Sequence, residues 1–376
     1  MKVGLLGAGT IGFGVCELAK TASGIEIAKV LDRREIPGLE GLLTRDICDI
    51  LADPEIDAVV ELLGGAEPAH TWAAMAMNAG KHFVTANKLM LSEHLPELMA
   101  IAEKNGVSIR FSAAVGGGIP FLFNLLRARR ADEIAEVGGI LNGTTNYMLD
   151  LMQTQKIAYE KALSLAQEAG YAEQDAAADV SGADAQCKIA LSASIAWDGF
   201  VDKNQVLCEG IERVTPLDMK IAASRDYAVK LLARAGKAAG GICAYVEPTL
   251  IPTDSVLANI RMVENAAFLR GMNAGVQRFT GAGAGRYATA YAVISDLIDI
   301  DRNAHAYPFT ISDARIPVDN GGEAHRYYVR GMEVAGGEEI AAGAYVTPEM
   351  PVERMHRLAR AARADGRRVF FAGIWD

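Results

Sequence analysis

A glycine-rich hexapeptide near the amino terminus constrains the fold more than any other feature of the sequence. The segment GAGTIG has the spacing G-x-G-x-x-G and directly follows KVGLL, an apolar run typical of a buried strand. Gly7 permits a tight turn, Gly9 lets a ligand approach the backbone, and Gly12 allows the next helix to pack closely. The pattern predicts a strand, turn and helix whose helix N-terminus binds a dinucleotide pyrophosphate.

Further residues are candidates for contact with the same dinucleotide. Thr10 and Ile11 lie inside the glycine motif, and Asp32 follows it by roughly 20 positions at the end of the run AKVLD. A carboxylate there can accept hydrogen bonds from the adenosine ribose. Arg33 and Arg34 come next and offer positive charge to a 2′-phosphate. The residues therefore leave both NAD and NADP open as cofactors.

The hydrophobic pattern predicts an α/β protein with two domains. Over residues 1–132, short apolar runs alternate with helical patterns, which is typical of βαβ units and favours a Rossmann-type, doubly wound parallel sheet. Helices are expected at TWAAMAMNAGKH and at SEHLPELMAIAEKNG, the second beginning at a Ser92 cap and ending near Gly106. Residues 133–283 mix strand-like runs with helices, one of them expected at YAVKLLARAG, and predict a second, α+β domain.

A short C-terminal tail, residues 321–376, completes the predicted organisation. It contains a helix candidate over Val352–Ala364 and a strand candidate over Arg368–Ile374. Residues 284–302 are apolar at helical intervals and predict one further helix before this tail.

Composition favours a soluble protein that acts on small molecules. The formal net charge of −10 over 376 residues disfavours a nucleic-acid or anionic membrane surface. Five cysteines without a CxxC pair fit buried thiols in a reducing compartment, so we expect a cytoplasmic protein. The amino terminus lacks a signal-peptide pattern, and no apolar run is long enough for a membrane span. The six histidines show no metal-ligand spacing.

A second group of chemically suggestive residues lies in the run GYAEQDAAADVSGADAQCK. Asp184 and Lys188 stand four apart at the start of an expected helix, so they can form an ion pair, and Glu173 and Asp179 precede them. A lysine beside carboxylates suits proton transfer, and spare carboxylates suit a ligand with an amino group. The same spacing also fits an ordinary solvated helix start.

This run resembles the signature of the homoserine dehydrogenases. The blocks TANK, VGGGIP, LNGTTNYML and GAGAG, at 85–88, 115–120, 141–149 and 281–285, are similar to that family's blocks and follow its order. Two positions depart from the family pattern: Ala176 replaces a usual proline, and Ser112 replaces a usual glutamate. Both departures bear on the identity of the substrate.

The resemblance implies a role for several residues of this chain. Lys188 and Lys88 would be catalytic, with Lys88 also contacting the cofactor, and Gly285 would lie near the nicotinamide. Substrate would bind to Glu173, Asp184 and Asp179. The backbone carbonyls of a loop would hold a monovalent cation such as Na⁺, through Ser112, Val115, Gly117 and Ile119.

The resemblance also implies an architecture and an activity. Residues 284–302 would pack back on the nucleotide-binding domain, the second domain would form a homodimer, and the tail would be too short for a complete regulatory ACT domain. The implied reaction is NAD(P)-dependent interconversion of L-homoserine and L-aspartate 4-semialdehyde.

Alternatives remain open at this point. The chain could act on another small hydroxy or aldehyde compound, or could bind NAD(P) as a regulatory protein without catalysis. Asn142, Thr144 and Thr145 could line the cleft, although capping of the following helix is the favoured interpretation.

Overall fold

The computed structural model describes residues 1–302 and 311–375, and this part of the chain divides into two compact units. The first unit comprises Met1–Glu133, Leu191–Asp202 and Gly281–Arg315, and the second comprises Ile134–Ala190, Lys203–Thr280 and Ile316–Asp376, each within the described residues.

The strands are β1 Lys2–Leu6, β2 Glu26–Leu31, β3 Leu43–Thr44, β4 Ala58–Glu61, β5 His82–Thr85, β6 Ile109–Arg110, β7 Ile134–Ile140, β8 Leu207–Cys208, β9 Tyr227–Ala238, β10 Gly241–Pro252, β11 Glu264–Gly271, β12 Gly275–Ala282, β13 Ala324–His325, β14 Tyr327–Arg330, β15 Glu338–Ala341, β16 Ala344–Val346, β17 Met350–Pro351 and β18 Phe370–Ile374. The α-helices are α1 Thr10–Ala19, α2 Cys48–Leu51, α3 Ala69–Asn78, α4 Lys88–Asn105, α5 Phe121–Ala128, α6 Gly143–Gln155, α7 Tyr159–Glu168, α8 Ala177–Val180, α9 Ala183–Ala196, α10 Pro216–Ala223, α11 Arg286–Asp301 and α12 Val352–Ala364.

The first unit is built on a six-stranded parallel sheet with the order β3-β2-β1-β4-β5-β6. The chain order reverses beside β1, which makes the sheet doubly wound and confirms the predicted α/β class. Helix α11 packs on α1 so closely that a Cβ on Gly14 would lie 2.8 Å from the Arg286 carbonyl oxygen. In such sheets, ligands bind at the carboxyl ends of the strands near this reversal.

One helix of this unit begins earlier than its sequence pattern suggested. The predicted Ser92 cap is wrong: α4 starts at Lys88, and the Asn87 side chain caps it by accepting a hydrogen bond from the Met90 amide. Ser92 lies inside the helix, where its hydroxyl donates to the Leu89 carbonyl. The helix ends before Gly106, as predicted, because Gly106 adopts the left-handed conformation at φ 65°. Lys88 therefore lies in the first helical turn.

The second unit contains a ten-stranded mixed sheet with the main order β12-β11-β7-β9-β10-β18-β14-β16-β15, and β8 pairs with β10. The helix predicted at YAVKLLARAG is wrong, because this segment is most of β9 and pairs with β10 along its whole length. Eight of the twelve residues of β9 are buried, six of them consecutive. A strand covered on both faces loses the polar–apolar alternation that identifies strands in sequence.

Four C-terminal strands, β14, β15, β16 and β18, join the same sheet, while β13 and β17 pair with each other. β18 runs parallel to β10 and antiparallel to β14, and the helix predicted over Val352–Ala364 is confirmed as α12. The Glu247 carboxylate, on β10, accepts hydrogen bonds from His325 and His356, each at 2.9 Å. Among the described helices, none is both long and apolar enough to cross a membrane.

Candidate active site

The glycine motif of the first unit forms a tight turn between β1 and α1. Gly7 has φ 92°, a conformation that favours glycine, and a Cβ on Gly12 would lie 2.0 Å from the Gly7 carbonyl oxygen. A Cβ on Gly9 would meet nothing within 4 Å. Gly9 is also the N-cap of α1 and provides no side-chain cap, so the first helical N–H groups have no capping side chain as a partner.

This geometry fits a dinucleotide pyrophosphate. Open space over Gly9 and uncapped N–H groups at a helix N-terminus provide an anion-binding site. Thr10 and Ile11 form the first turn of α1 beside it.

Asp32 follows β2 and faces the glycine loop. Its carboxylate accepts a hydrogen bond from the Ala8 amide at 2.9 Å and pairs with the Arg34 guanidinium through both oxygens. These bonds, with that to Arg34 the largest cause, hold the pKa of Asp32 well below its usual value. Arg33 is exposed beside it. Asp32 is thus paired with Arg34, an ion pair that the sequence did not indicate.

A buried carboxylate at the same edge of the sheet was missed by sequence reasoning. Glu61 ends β4, is fully buried, and accepts hydrogen bonds from the Thr85 hydroxyl at 2.7 Å and the Leu63 amide at 2.7 Å. Burial raises its pKa. The Asn87 side chain donates to the Gly65 carbonyl at 2.6 Å, which fixes the turn before Lys88. Lys88, which is half-buried, therefore follows directly on a turn that side-chain hydrogen bonds hold in place.

The two other glycine-rich loops of this unit pack against each other. The Gly118 amide donates to the Ala282 carbonyl at 3.2 Å, and a Cβ on Gly117 would lie 2.6 Å from the Gly283 carbonyl oxygen. Gly285 has φ 113° and stands directly before α11. Close packing explains Gly117 without a ligand. At Gly285, a Cβ would meet nothing within 4 Å and only the positive φ favours glycine, so its role near a nicotinamide remains a prediction.

The carbonyl groups predicted to hold a monovalent cation lie in this region of the first unit. The Ile119 carbonyl accepts a hydrogen bond from the Phe121 amide at 2.7 Å. Ser112 donates its amide and its hydroxyl to the Asp296 carboxylate, at 2.9 and 2.7 Å. Val115 and Gly117 are buried in the same loop. The cation itself stays a prediction.

The second unit holds the lysine that the sequence singled out. Lys188 lies on α9, is 8% exposed, and its Nζ is 2.7 Å from the Asp184 Oδ2 and 2.7 Å from the Leu141 carbonyl oxygen. A solvated helix start would leave both side chains in water, whereas here both are buried. The ammonium is fixed in position by two oxygens.

Asn142 connects the carboxylates of this cluster. Its Nδ2 donates to Asp179 Oδ1 at 2.6 Å and to Asp184 Oδ2 at 2.9 Å, while its Oδ1 caps α6 by accepting from the Thr145 amide. Burial, chiefly, raises the pKa of Asp179. Capping was the predicted role of Asn142, and the bridge between two aspartates is an additional one. The asparagine precedes Asp179 by 37 residues, so local sequence gave no sign of the bridge.

Not every predicted residue joins the cluster. Glu173 is exposed, and its backbone carbonyl accepts a hydrogen bond from Gln167. Thr144 donates its hydroxyl to the Tyr171 carbonyl at 2.6 Å. The structure thus brings together Lys188, Asp184 and Asp179 but leaves Glu173 at the surface.

A doubly wound sheet with this glycine turn, in a chain that also buries a lysine among carboxylates, defines an NAD(P)-dependent oxidoreductase. Two family models match the chain: "Homoserine dehydrogenase, NAD binding domain" over residues 7–112 and "Homoserine dehydrogenase" over residues 120–298. The chain belongs to the homoserine dehydrogenase family, which confirms the resemblance found in the sequence. Its activity is the NAD(P)-dependent oxidoreduction of homoserine.

Individual relatives agree with this assignment. Homoserine dehydrogenase of Synechocystis sp. is 40% identical over 316 residues, which cover 80% of this chain and 73% of the relative. The Lactococcus lactis enzyme is 34% identical over 370 residues, covering 93% and 83%. A solved homoserine dehydrogenase from Thiobacillus denitrificans is similar with a TM-score of 0.88 and 31% identity, over 100% of this chain and 98% of that one.

Proposed function

We propose that the chain interconverts L-homoserine and L-aspartate 4-semialdehyde and that Lys188 carries the proton. The burial of its ammonium between Asp184 and the Leu141 carbonyl is the observation that supports this role. During reduction of the aldehyde, Nζ donates a proton to the substrate oxygen, and during oxidation the amine accepts it back.

The first unit would hold the cofactor, which supplies or accepts the hydride when bound. The turn at Gly7, Gly9 and Gly12 would bind the pyrophosphate through N–H groups, and Asp32 would accept hydrogen bonds from the adenosine ribose. Lys88 would stabilise the negative charge that develops on the substrate oxygen.

Asp184 would act as a positioning residue for Lys188. Its Oδ2 contacts the lysine ammonium at 2.7 Å and accepts from Asn142 at 2.9 Å, so the carboxylate and the ammonium are oriented together. Asp179 lies on the other side of Asn142 and would bind the substrate ammonium, whose positive charge would favour its ionised form. Glu173 would reach the substrate only from the surface, which makes it the weaker candidate.

The experiment is a steady-state assay of the purified chain with L-homoserine and NAD⁺ or NADP⁺, followed by absorbance of the reduced nicotinamide. We expect turnover that Lys188→Met reduces by about 10²–10⁴-fold. Lys161→Met removes an exposed lysine of the same unit and serves as the matched control. Turnover of hydroxy compounds without an amino group, together with none of homoserine, would contradict the proposal.

We also propose a homodimer in the cytoplasm, with residues 1–132 acting as the nucleotide-binding domain and 133–283 as the substrate and dimerisation domain. β12 is the outermost strand on one side of its sheet, and such an edge can pair with another chain. The five cysteines form no disulfide, in keeping with a reducing compartment. Light scattering after size-exclusion chromatography would test the dimer, and a monomer at micromolar concentration would contradict it.

A further inference from the structure

Two histidines and two glutamates of the first unit lie together at helices α3 and α4, and none of them is among the residues proposed to bind cofactor or substrate. His70 is in the first turn of α3, and Glu67 precedes that helix. His94 and Glu97 are one turn apart on α4. We call these four residues the histidine–glutamate cluster. The histidines are 24 positions apart, which is why their spacing did not indicate a metal site.

The distances within the cluster suit a small ion. Glu97 Oε2 lies 3.0 Å from His70 Nε2 and 3.8 Å from His94 Nδ1. One ligand atom from each of these three residues can be chosen so that all lie within 4.8 Å of one another. Tetrahedral zinc with bonds of about 2.0–2.1 Å holds its ligand atoms roughly 3.4 Å apart, so side-chain rotations that bring these three atoms closer would complete the site.

His70 has a carboxylate oxygen beside each of its two ring nitrogens. Its Nδ1 is 3.0 Å from Glu67 Oε1, while Glu67 Oε2 accepts from the Thr71 hydroxyl at 2.9 Å. Its Nε2 is 3.0 Å from Glu97 Oε2. Histidines that ligate metals commonly donate their other N–H to a carboxylate in this way.

The two imidazole rings of the cluster are in direct contact. The His70 and His94 rings stack with centroids 3.8 Å apart and planes 16° apart, so the His94 ring must turn out of this stack for its Nδ1 to share an ion with His70 Nε2. Imidazole nitrogens together with a carboxylate oxygen are a ligand set that suits zinc. Both rings are partly exposed, so an ion can reach them from solvent.

We propose that the histidine–glutamate cluster is a binding site for a divalent transition-metal ion of the zinc type. The ligands are His70 Nε2, His94 Nδ1 and Glu97 Oε2, and water completes a tetrahedral shell. Glu67 orients His70. The ion ties the start of α3 to α4 and so stiffens the first unit, and it takes no part in hydride or proton transfer.

The test is a titration of the full chain with Co²⁺ and then Zn²⁺, after treatment with a chelator and in a Cys48→Ser background. That background removes an exposed thiol that could bind either ion. We expect one equivalent of Co²⁺ to give the visible absorption of a tetrahedral site, and Zn²⁺ to displace it. Glu67→Gln should weaken the binding of Zn²⁺ by about 10–100-fold, and His94→Ala should weaken it by at least that factor.

Glu103→Gln, which removes an exposed carboxylate of α4 outside the cluster, is the matched control and should bind Zn²⁺ like the parent. The absence of a tetrahedral Co²⁺ spectrum in the parent would overturn the proposal, as would equal Zn²⁺ affinity in the parent and His94→Ala. If His94→Ala fails to fold, Glu67→Gln answers the same question because it keeps all three ligands. The titration contains neither homoserine nor NAD(P), so its result is independent of the proposed catalytic roles.

Discussion

The candidate site of the first unit consists mainly of backbone groups, whereas that of the second unit consists of side chains. In the first unit, the proposed cofactor site consists mainly of backbone: a glycine turn, a helix N-terminus and strand ends. In the second, the proposed proton-transfer site is a network of side chains that links Lys188, Asp184, Asn142 and Asp179. A backbone site fails when a Cβ intrudes or an anion finds no N–H group. A side-chain network fails when any one member loses its partner.

The sharpest test of this contrast is Lys188→Met. The turnover number should fall by about 10²–10⁴-fold because the substitution removes the proposed proton donor, while the dissociation constant of the cofactor should stay the same. Fluorescence titration with NAD(P)H, beside the steady-state rate, measures both. Lys161→Met should change neither. If Lys188→Met lost cofactor binding to the same degree as turnover, the assignment of cofactor binding and proton transfer to different units would be contradicted.

The two units also differ in how a buried carboxylate affects stability, and in the first unit this carboxylate is Asp296. Burial raises its pKa to about 6, above its unfolded value near 4. Its contribution to stability is therefore complete below about pH 4 and lost as the pH rises through 6, a change of roughly 3 kcal/mol. Asp296→Asn should flatten this part of the profile. Urea denaturation at several pH values measures it, with exposed Asp254→Asn as the control.

Glu247 of the second unit should behave in the opposite way. Burial alone would raise its pKa, but hydrogen bonds from His325 and His356 dominate and lower it to about 2. Its contribution is present above about pH 4.5 and lost as the pH falls through 2, again roughly 3 kcal/mol. Glu247→Gln should lower the free energy of unfolding at neutral pH and weaken its acid dependence. An unchanged urea midpoint at pH 7 would refute this account of the second unit.

Asn142→Ala should have a smaller effect on catalysis than loss of the lysine. It removes two hydrogen bonds to carboxylates, and each bond to a charged group contributes about 1.5–3 kcal/mol. We expect the turnover number to fall by roughly 10–100-fold. Because the same substitution removes the cap of α6, the melting temperature must be measured as well. Recovery of turnover in Asn142→Gln without recovery of stability would separate the two roles.

The smallest expected effect concerns Gly9. A Cβ there meets no protein atom within 4 Å, so Gly9→Ala should leave the melting temperature unchanged. It should weaken the binding of NAD(P)H by about tenfold, or 1.4 kcal/mol. Gly12→Ala is the variant to compare with it. The added Cβ would clash with the Gly7 carbonyl, so this substitution should lower the melting temperature. Equal melting temperatures for the two variants would show that the turn is not held as described.

Much of the fold was predictable because its determinants are local. The glycine turn, the parallel-sheet rhythm of the first unit and helices α9, α11 and α12 follow from short-range spacing. β9 was misread as a helix because burial on both faces removed the alternation that marks a strand. The start of α4 was misplaced because Ser92 is a good cap in sequence, while Asn87 makes the cap in the structure.

By itself, the sequence determined the nucleotide-binding turn and the i,i+4 spacing that lets Asp184 reach Lys188, because both depend on residues within one or two turns of chain. The tertiary structure decided the rest: the bridge of Asn142 to Asp179, the burial of Glu61, and the meeting of His70 with His94. These contacts join residues more than twenty positions apart or depend on what covers them. Only the packing of sheets and helices sets such distances, and no local periodicity encodes them.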